Sequence, residues 1–137
     1  MLKILGIAIS TLALISNGSL AQDSDDLEIP DAWETCYLVL ISANPASPEF
    51  GAERRAELMR GHITYQLRLA RNGQSVAAGG VGEGLRAELR GLTILRANTL
   101  VDASAMANGD PAVAAGLFQV DVREWYIPSP GICASGS

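Results

Sequence analysis

Two cysteines, Cys36 and Cys133, stand near opposite ends of the body of this chain, with almost a whole domain between them. If they pair, any topology that leaves positions 36 and 133 far apart is excluded. Their meaning depends on compartment, because disulfides persist in exported proteins and are rare in the cytosol. The N-terminus bears on this. Met1-Leu2-Lys3 is a short cationic start, Ile4 to Ile15 is almost wholly apolar, and Ser19 and Ala21 are small residues third and first before Gln22. This is the three-part layout of a secretory signal peptide, so residues 1–21 are expected to be removed and the protein to be periplasmic or secreted. The apolar run is shorter than the ~20 residues of a membrane-spanning helix, and no stable membrane insertion is expected after cleavage. In that setting Cys36 and Cys133 are expected to form a structural disulfide. The chain-entropy model values its loop at roughly 4–5 kcal/mol, less any strain. Two free thiols or a thiol active site are the alternatives, and neither cysteine has a CxxC partner.

At 137 residues and 48% hydrophobic, the chain fits one domain with enough apolar residues for a core. Its net charge is −5, which repels phosphate and argues against nucleic acid as a partner. The acidity is local. Asp23, Asp25, Asp26, Glu28, Asp31 and Glu34 crowd into an N-terminal arm, residues 22–34, most simply a solvated lead-in. Beyond it nine arginines face nine acids, and Lys3 is the only lysine of the chain. The domain itself is expected over residues 35–127, with a loose tail, 128–137, opened by Pro128, Pro130 and Gly131.

Within the body, Thr35 to Ile41 is a continuous apolar run rich in β-formers, the pattern of a buried strand. Ser47-Pro48-Glu49 reads as a helix start, and Met59, Ile63, Leu67 and Ala70 recur on one helical face, which predicts an inward stripe. Asn72-Gly73 ends that helix. Ser75–Ala78 predicts a short strand, Gly79 to Gly84 a hairpin connection, and Gly91–Ala97 a third strand. Asn98 or Thr99 can cap a second helix through Asn108, and Asp110-Pro111 can cap a short third one. Gly116–Tyr126 predicts the last strand. Its apolar residues Leu117, Val120, Val122 and Trp125 do not alternate strictly, so a bulge is expected there. The order β-α-β-β-α-β is that of a ferredoxin-like α+β fold with a four-stranded antiparallel sheet. That topology makes the first and last strands antiparallel neighbours, which brings Cys36 towards Cys133.

Three stretches resemble the YciI-like (YCII-related) family: H-I-T-Y-Q-L-R-L-A-R-N-G (His62–Gly73), V-A-A-G-G after it, and Gly91–Phe118 with its D-P-A-V-A-A-G-L-F, followed by V-R-E-W. The likeness runs from about Tyr37 to Trp125. It implies a ferredoxin-like domain that dimerises sheet to sheet. It also implies a pocket between helix and sheet whose histidine and aspartate are candidates for acid–base work. One branch includes a dehydrochlorinase of chlorinated hydroxyquinol-type rings. This chain departs from the family pattern in its leader, its cysteine pair and its Gly79-Gly80 in place of the common Gly-Pro.

His62, the only histidine, and Asp110 are the residues onto which that site maps. Imidazole suits proton transfer near neutral pH, and a carboxylate can orient it and stabilise its protonated form. Each also has a bland role: His62 as a half-buried residue at the edge of the core, Asp110 as a helix cap. The glycines after the second strand lack the Lys-Ser/Thr of a phosphate-binding loop. One histidine, two paired cysteines and carboxylates without ligand spacing give no basis for a metal, and no cofactor is expected. Two functions follow: an enzyme of elimination or isomerisation on a small organic molecule, or a non-catalytic periplasmic domain binding a small ligand or a protein.

Overall fold

The computed structural model describes residues 28–84 and 87–134; the expected leader and the first six residues of the acidic arm, 22–27, lie outside them. The chain runs β1 (Trp33–Ala43), α1 (Ala52–Arg71), β2 (Ser75–Gly80), β3 (Leu89–Leu95), α2 (Leu100–Asn108), the one-turn α3 (Pro111–Ala114) and β4 (Phe118–Pro128). The strands make one sheet in the order β2-β3-β1-β4, and every neighbouring pair is antiparallel. This is the ferredoxin-like α+β fold, with β1 between β3 and the last strand. No helix among the described residues is long and apolar enough to cross a membrane.

β1 reads as unbroken apolar sequence because both its faces are shielded to some degree. Tyr37, Val39 and Ile41 are buried and pack with Leu69, Leu95, Ala103 and Ala107 into the main core beneath the helices. Leu38 and Leu40 point to the other face and are half-buried. A second cluster, Leu58, Ala112 and Leu117, fixes α3 against α1.

The helix ends follow local chemistry. Thr99 Oγ1 accepts the Asp102 N–H at 3.1 Å, and Asp110 Oδ1 accepts the Ala112 N–H at 2.9 Å; each satisfies a donor that the first turn leaves free. α1 stops at Gly73, whose φ of 71° is the left-handed conformation glycine adopts without penalty. There Gln74 N–H reaches Leu69 O and Gly73 N–H reaches Ala70 O.

Three expectations need correction. α1 begins at Ala52 behind Gly51, not at Ser47-Pro48. The Asn44 side chain organises that segment as a turn instead, accepting from Ala46 N–H and donating to Gly116 O. β4 carries no bulge: its register with β1 runs unbroken from Trp33↔Pro128 to Ala43↔Phe118. Leu117 precedes the strand and belongs to the second cluster, so Phe118, Val120 and Val122 alternate as a regular strand should. Lastly, the stripe Met59-Ile63-Leu67-Ala70 does not face the main core. Leu58 and Leu69 are the buried residues of α1, while Ile63 and Leu67 are 53% and 64% exposed.

Cys36 and Cys133 are disulfide-bonded, with Cα atoms 5.7 Å apart across 97 positions of sequence. The tail is also held by Ser129 N–H on Ala32 O at 3.0 Å and by Arg96 Nη2 on Ile132 O at 2.9 Å.

Candidate active site

His62 sits midway along α1 and Asp110 at the cap of α3, and the packing of α3 against α1 closes the gap of 48 positions between them. His62 Nδ1 lies 2.6 Å from Asp110 Oδ2. The two residues singled out in the sequence are therefore brought together, and Asp110 keeps its capping role through its other oxygen. The carboxylate is 1% exposed. Burial alone raises its pKa, but hydrogen bonds from His62, Ala112 and Gln66 and the charge of His62 outweigh this and hold Asp110 below the usual carboxylate value. An ionised, buried Asp110 only accepts, so Nδ1 of His62 carries a proton towards it. Nε2 takes no hydrogen bond from the described residues. The His62 ring also meets Phe118 edge to face, with centroids 5.4 Å apart.

Two further polar residues complete the group. Gln66, one helical turn after His62, donates from Nε2 to Asp110 Oδ2 at 3.1 Å, and Thr93 of β3, 2% exposed, donates from its hydroxyl to Gln66 Oε1 at 2.9 Å. Neither has a sequence signal of its own. The spacing of Gln66 four residues after His62, which stacks both on one helical face, is what could have pointed to it. Tyr65 is oriented differently: its hydroxyl donates to Met106 O at 2.8 Å. Burial, then the charge of Asp110, raise its pKa, which keeps it a neutral donor tying α1 to α2.

His62, Gln66 and Thr93 lie on the wall of a cavity of about 500 Å³ between α1 and the β2–β3 part of the sheet. The apolar stripe of α1 forms its roof: Met59, Ile63, Leu67 and Ala70 all line it. The β2–β3 part of the floor is nearly bare main chain, from Ala78, Gly80 and Gly91, and Ile41 and Phe118 line the cavity from β1 and β4. Gly91 is required there, because a Cβ at that position would come within 2.9 Å of Gly79 O. Gly79 and Gly80 lie in β2 rather than in the connection after it, so part of the expected glycine hairpin is cavity floor. Among the described residues, no group of three or more His, Cys, Asp or Glu could hold a metal ion. Trp125 lies on β4, outside this cavity.

The family model for the YCII-related domain matches residues 35–126. The chain belongs to the YCII-related family. The YCII-related domain thus spans all four strands and contains His62, Gln66, Thr93 and Asp110. No curated protein matches the chain. Among solved structures, 5-chloro-2-hydroxyhydroquinone dehydrochlorinase from Burkholderia phenoliruptrix AC1100, in complex with 2,5-dihydroxybenzoquinone, is similar to this YCII-related chain. The two are 22% identical over 66% of this chain and 92% of that one, with a TM-score of 0.48.

Proposed function

We propose that this YCII-related protein is an enzyme that moves a proton on a small, flat, largely apolar organic molecule, in an elimination or an isomerisation. The observation that carries this reading is the His62–Asp110 pair, 2.6 Å apart, whose His62 lies on the wall of a cavity large enough for a small ligand. With Nδ1–H bound to Asp110, His62 Nε2 is the base. It takes a proton from a carbon or hydroxyl of the substrate, and Asp110 stabilises the imidazolium that results. In an isomerisation the same nitrogen returns the proton at a second position; in an elimination the electron pair expels a leaving group instead. The apolar roof and main-chain floor favour a thin body with few charges, and exclusion of water there strengthens the electrostatics of the pair. The reading also takes the protein to be exported, which the Cys36–Cys133 disulfide supports. It further takes it to be a homodimer joined through the sheet, which the apolar Leu38, Leu40, Leu92 and Ile94 on the face away from the helices support.

The test is turnover in D₂O. A panel of hydroxylated and halogenated quinols and small lactones is followed by NMR for deuterium uptake, double-bond migration and leaving-group release. Turnover of at least one compound is expected, with a loss of about 10²–10⁴-fold in His62→Ala. Turnover that survives His62→Ala overturns the assignment. Ligands that bind without reacting, equally well to wild type and His62→Ala, favour the non-catalytic binding domain.

A further inference from the structure

Beyond the pair itself, we infer that Gln66, oriented by Thr93, is a positioning residue that holds the Asp110 carboxylate in one plane and thereby fixes His62 as its Nδ1–H tautomer. This inference rests on the reading of His62 as the acid–base group and extends it to the residues that prepare it.

The polarity of the chain of hydrogen bonds is set from one end. Asp110, ionised, can only accept, so the amide edge of Gln66 that meets it at 3.1 Å is the NH₂. The carbonyl edge of Gln66 then faces Thr93 at 2.9 Å, and the Thr93 hydroxyl must donate. Turning the amide over would set Oε1 against a carboxylate oxygen, a repulsive contact in a nearly dry site. Only one direction runs without conflict: Thr93 hydroxyl to Gln66 carbonyl, Gln66 NH₂ to Asp110, with His62 Nδ1–H arriving at the same oxygen from the other side.

The supports are rigid. Thr93 is 2% exposed, lies on a strand paired on both sides, and has a β-branched side chain with restricted χ1. Gln66 by itself is a flexible side chain that loses considerable rotamer freedom on ordering. Held at both ends, it becomes a fixed spacer between β3 and α3. Asp110 Oδ2 then receives two N–H groups, from Gln66 and His62, while Oδ1 receives the Ala112 N–H. Three donors on two oxygens leave the carboxylate no freedom to turn. Loss of Gln66 frees Oδ2 to swing away from His62, and the imidazole can then place its proton on either nitrogen.

His62 is the only histidine in the chain, so a long-range ¹H–¹⁵N correlation spectrum of uniformly labelled protein, taken where the ring is neutral, reads this tautomer without assignment. Wild type is expected to be almost wholly Nδ1–H. Gln66→Leu and Thr93→Val are each expected to raise the Nε2–H to Nδ1–H ratio by about tenfold, the loss of one ordinary hydrogen bond. Thr93→Ser keeps the hydroxyl and is expected to keep the wild-type ratio. A merely structural role would lower stability in these variants and leave the ratio unchanged. A wild-type ring dominated by Nε2–H, or folded Gln66→Leu and Thr93→Val proteins with an unshifted ratio, overturns the inference. Because this readout needs no substrate, it stands apart from the turnover test: inactivity sinks the proposed reaction alone, and an unmoved tautomer sinks the positioning role alone.

Discussion

The two sides of α1 are both lined with apolar side chains, yet one is solid and the other is hollow. On the solid side, Leu69 meets Tyr37, Val39 and Leu95 of the sheet. On the hollow side, Ile63 and Leu67 look across at Ala78, Gly80 and Gly91. The helix contributes similar groups to both. What differs is the sheet, which supplies Tyr37, Val39 and Leu95 on one side and, alongside Ile41 and Phe118, only alanine and glycine from β2 and Gly91 from β3 on the other. The cavity is thus made by leaving side chains out of β2 and β3. The polar residues at its wall stand on the boundary between the two regions, where Thr93 and Asp110 gain the burial that keeps them dry.

This contrast can be broken by truncating a leucine on each side. Leu95→Ala, in the solid region and 0% exposed, is expected to cost about 2–5 kcal/mol in urea unfolding. Leu67→Ala, 64% exposed, is expected to stay within about 0.5 kcal/mol of wild type while weakening ligand binding. Equal losses at the two positions would mean the hollow side is packed after all.

The boundary itself is tested by acid. Asp110 titrates lower in the folded protein than in the unfolded chain, so its contribution to stability is full above the unfolded value of about 3.9 and is lost as pH falls through the folded value. Asp110→Asn is expected to be less stable by about 1–3 kcal/mol at neutral pH. The gap from wild type should narrow as pH drops below about 4. A gap that keeps its width down to the acid limit would show that the charge is not what holds this site together.

The smallest effect on stability is expected from filling the hollow. Gly80→Val adds a β-former on the cavity floor where the nearest atom to its Cβ is Arg90 O at 3.8 Å. Stability is expected to change by less than about 0.5 kcal/mol while binding of cavity ligands, read by fluorescence titration, falls sharply. Unimpaired binding would move the ligand site elsewhere.

The same contrast explains how far the sequence could be read. Strand order, the caps at Thr99 and Asp110, the stop at Gly73 and the meeting of Cys36 with Cys133 all follow from local chemistry or from topology, and both are written in residue types. The His62–Asp110 pairing was legible only through the family resemblance. The stripe Met59-Ile63-Leu67-Ala70 was legible as a stripe, but periodicity reports that a helix has an apolar face and cannot report what lies opposite it. Only the register that sets Gly80 against Gly91 makes that face a roof instead of a core. Gln66 and Thr93 were silent for a related reason. A glutamine on a helix and a threonine on a strand are ordinary surface residues until β3 passes beneath α1. The misplaced start of the first helix came from a local signal, Ser47-Pro48, that the contact of Asn44 with Gly116 overrides.

The Cys36–Cys133 bond makes the fold a covalent ring. Every element from α1 to β4, and the connection between β2 and β3, lies within that ring. A single cut of the backbone in that connection therefore leaves one molecule, its halves joined by sulfur and by the β1–β3, β1–β4 and β2–β3 ladders. The same cut in reduced protein leaves two pieces with only non-covalent contacts, in the sheet and between α1 and α3, to hold them. The bond thus makes a breakage of the chain in that connection a survivable event.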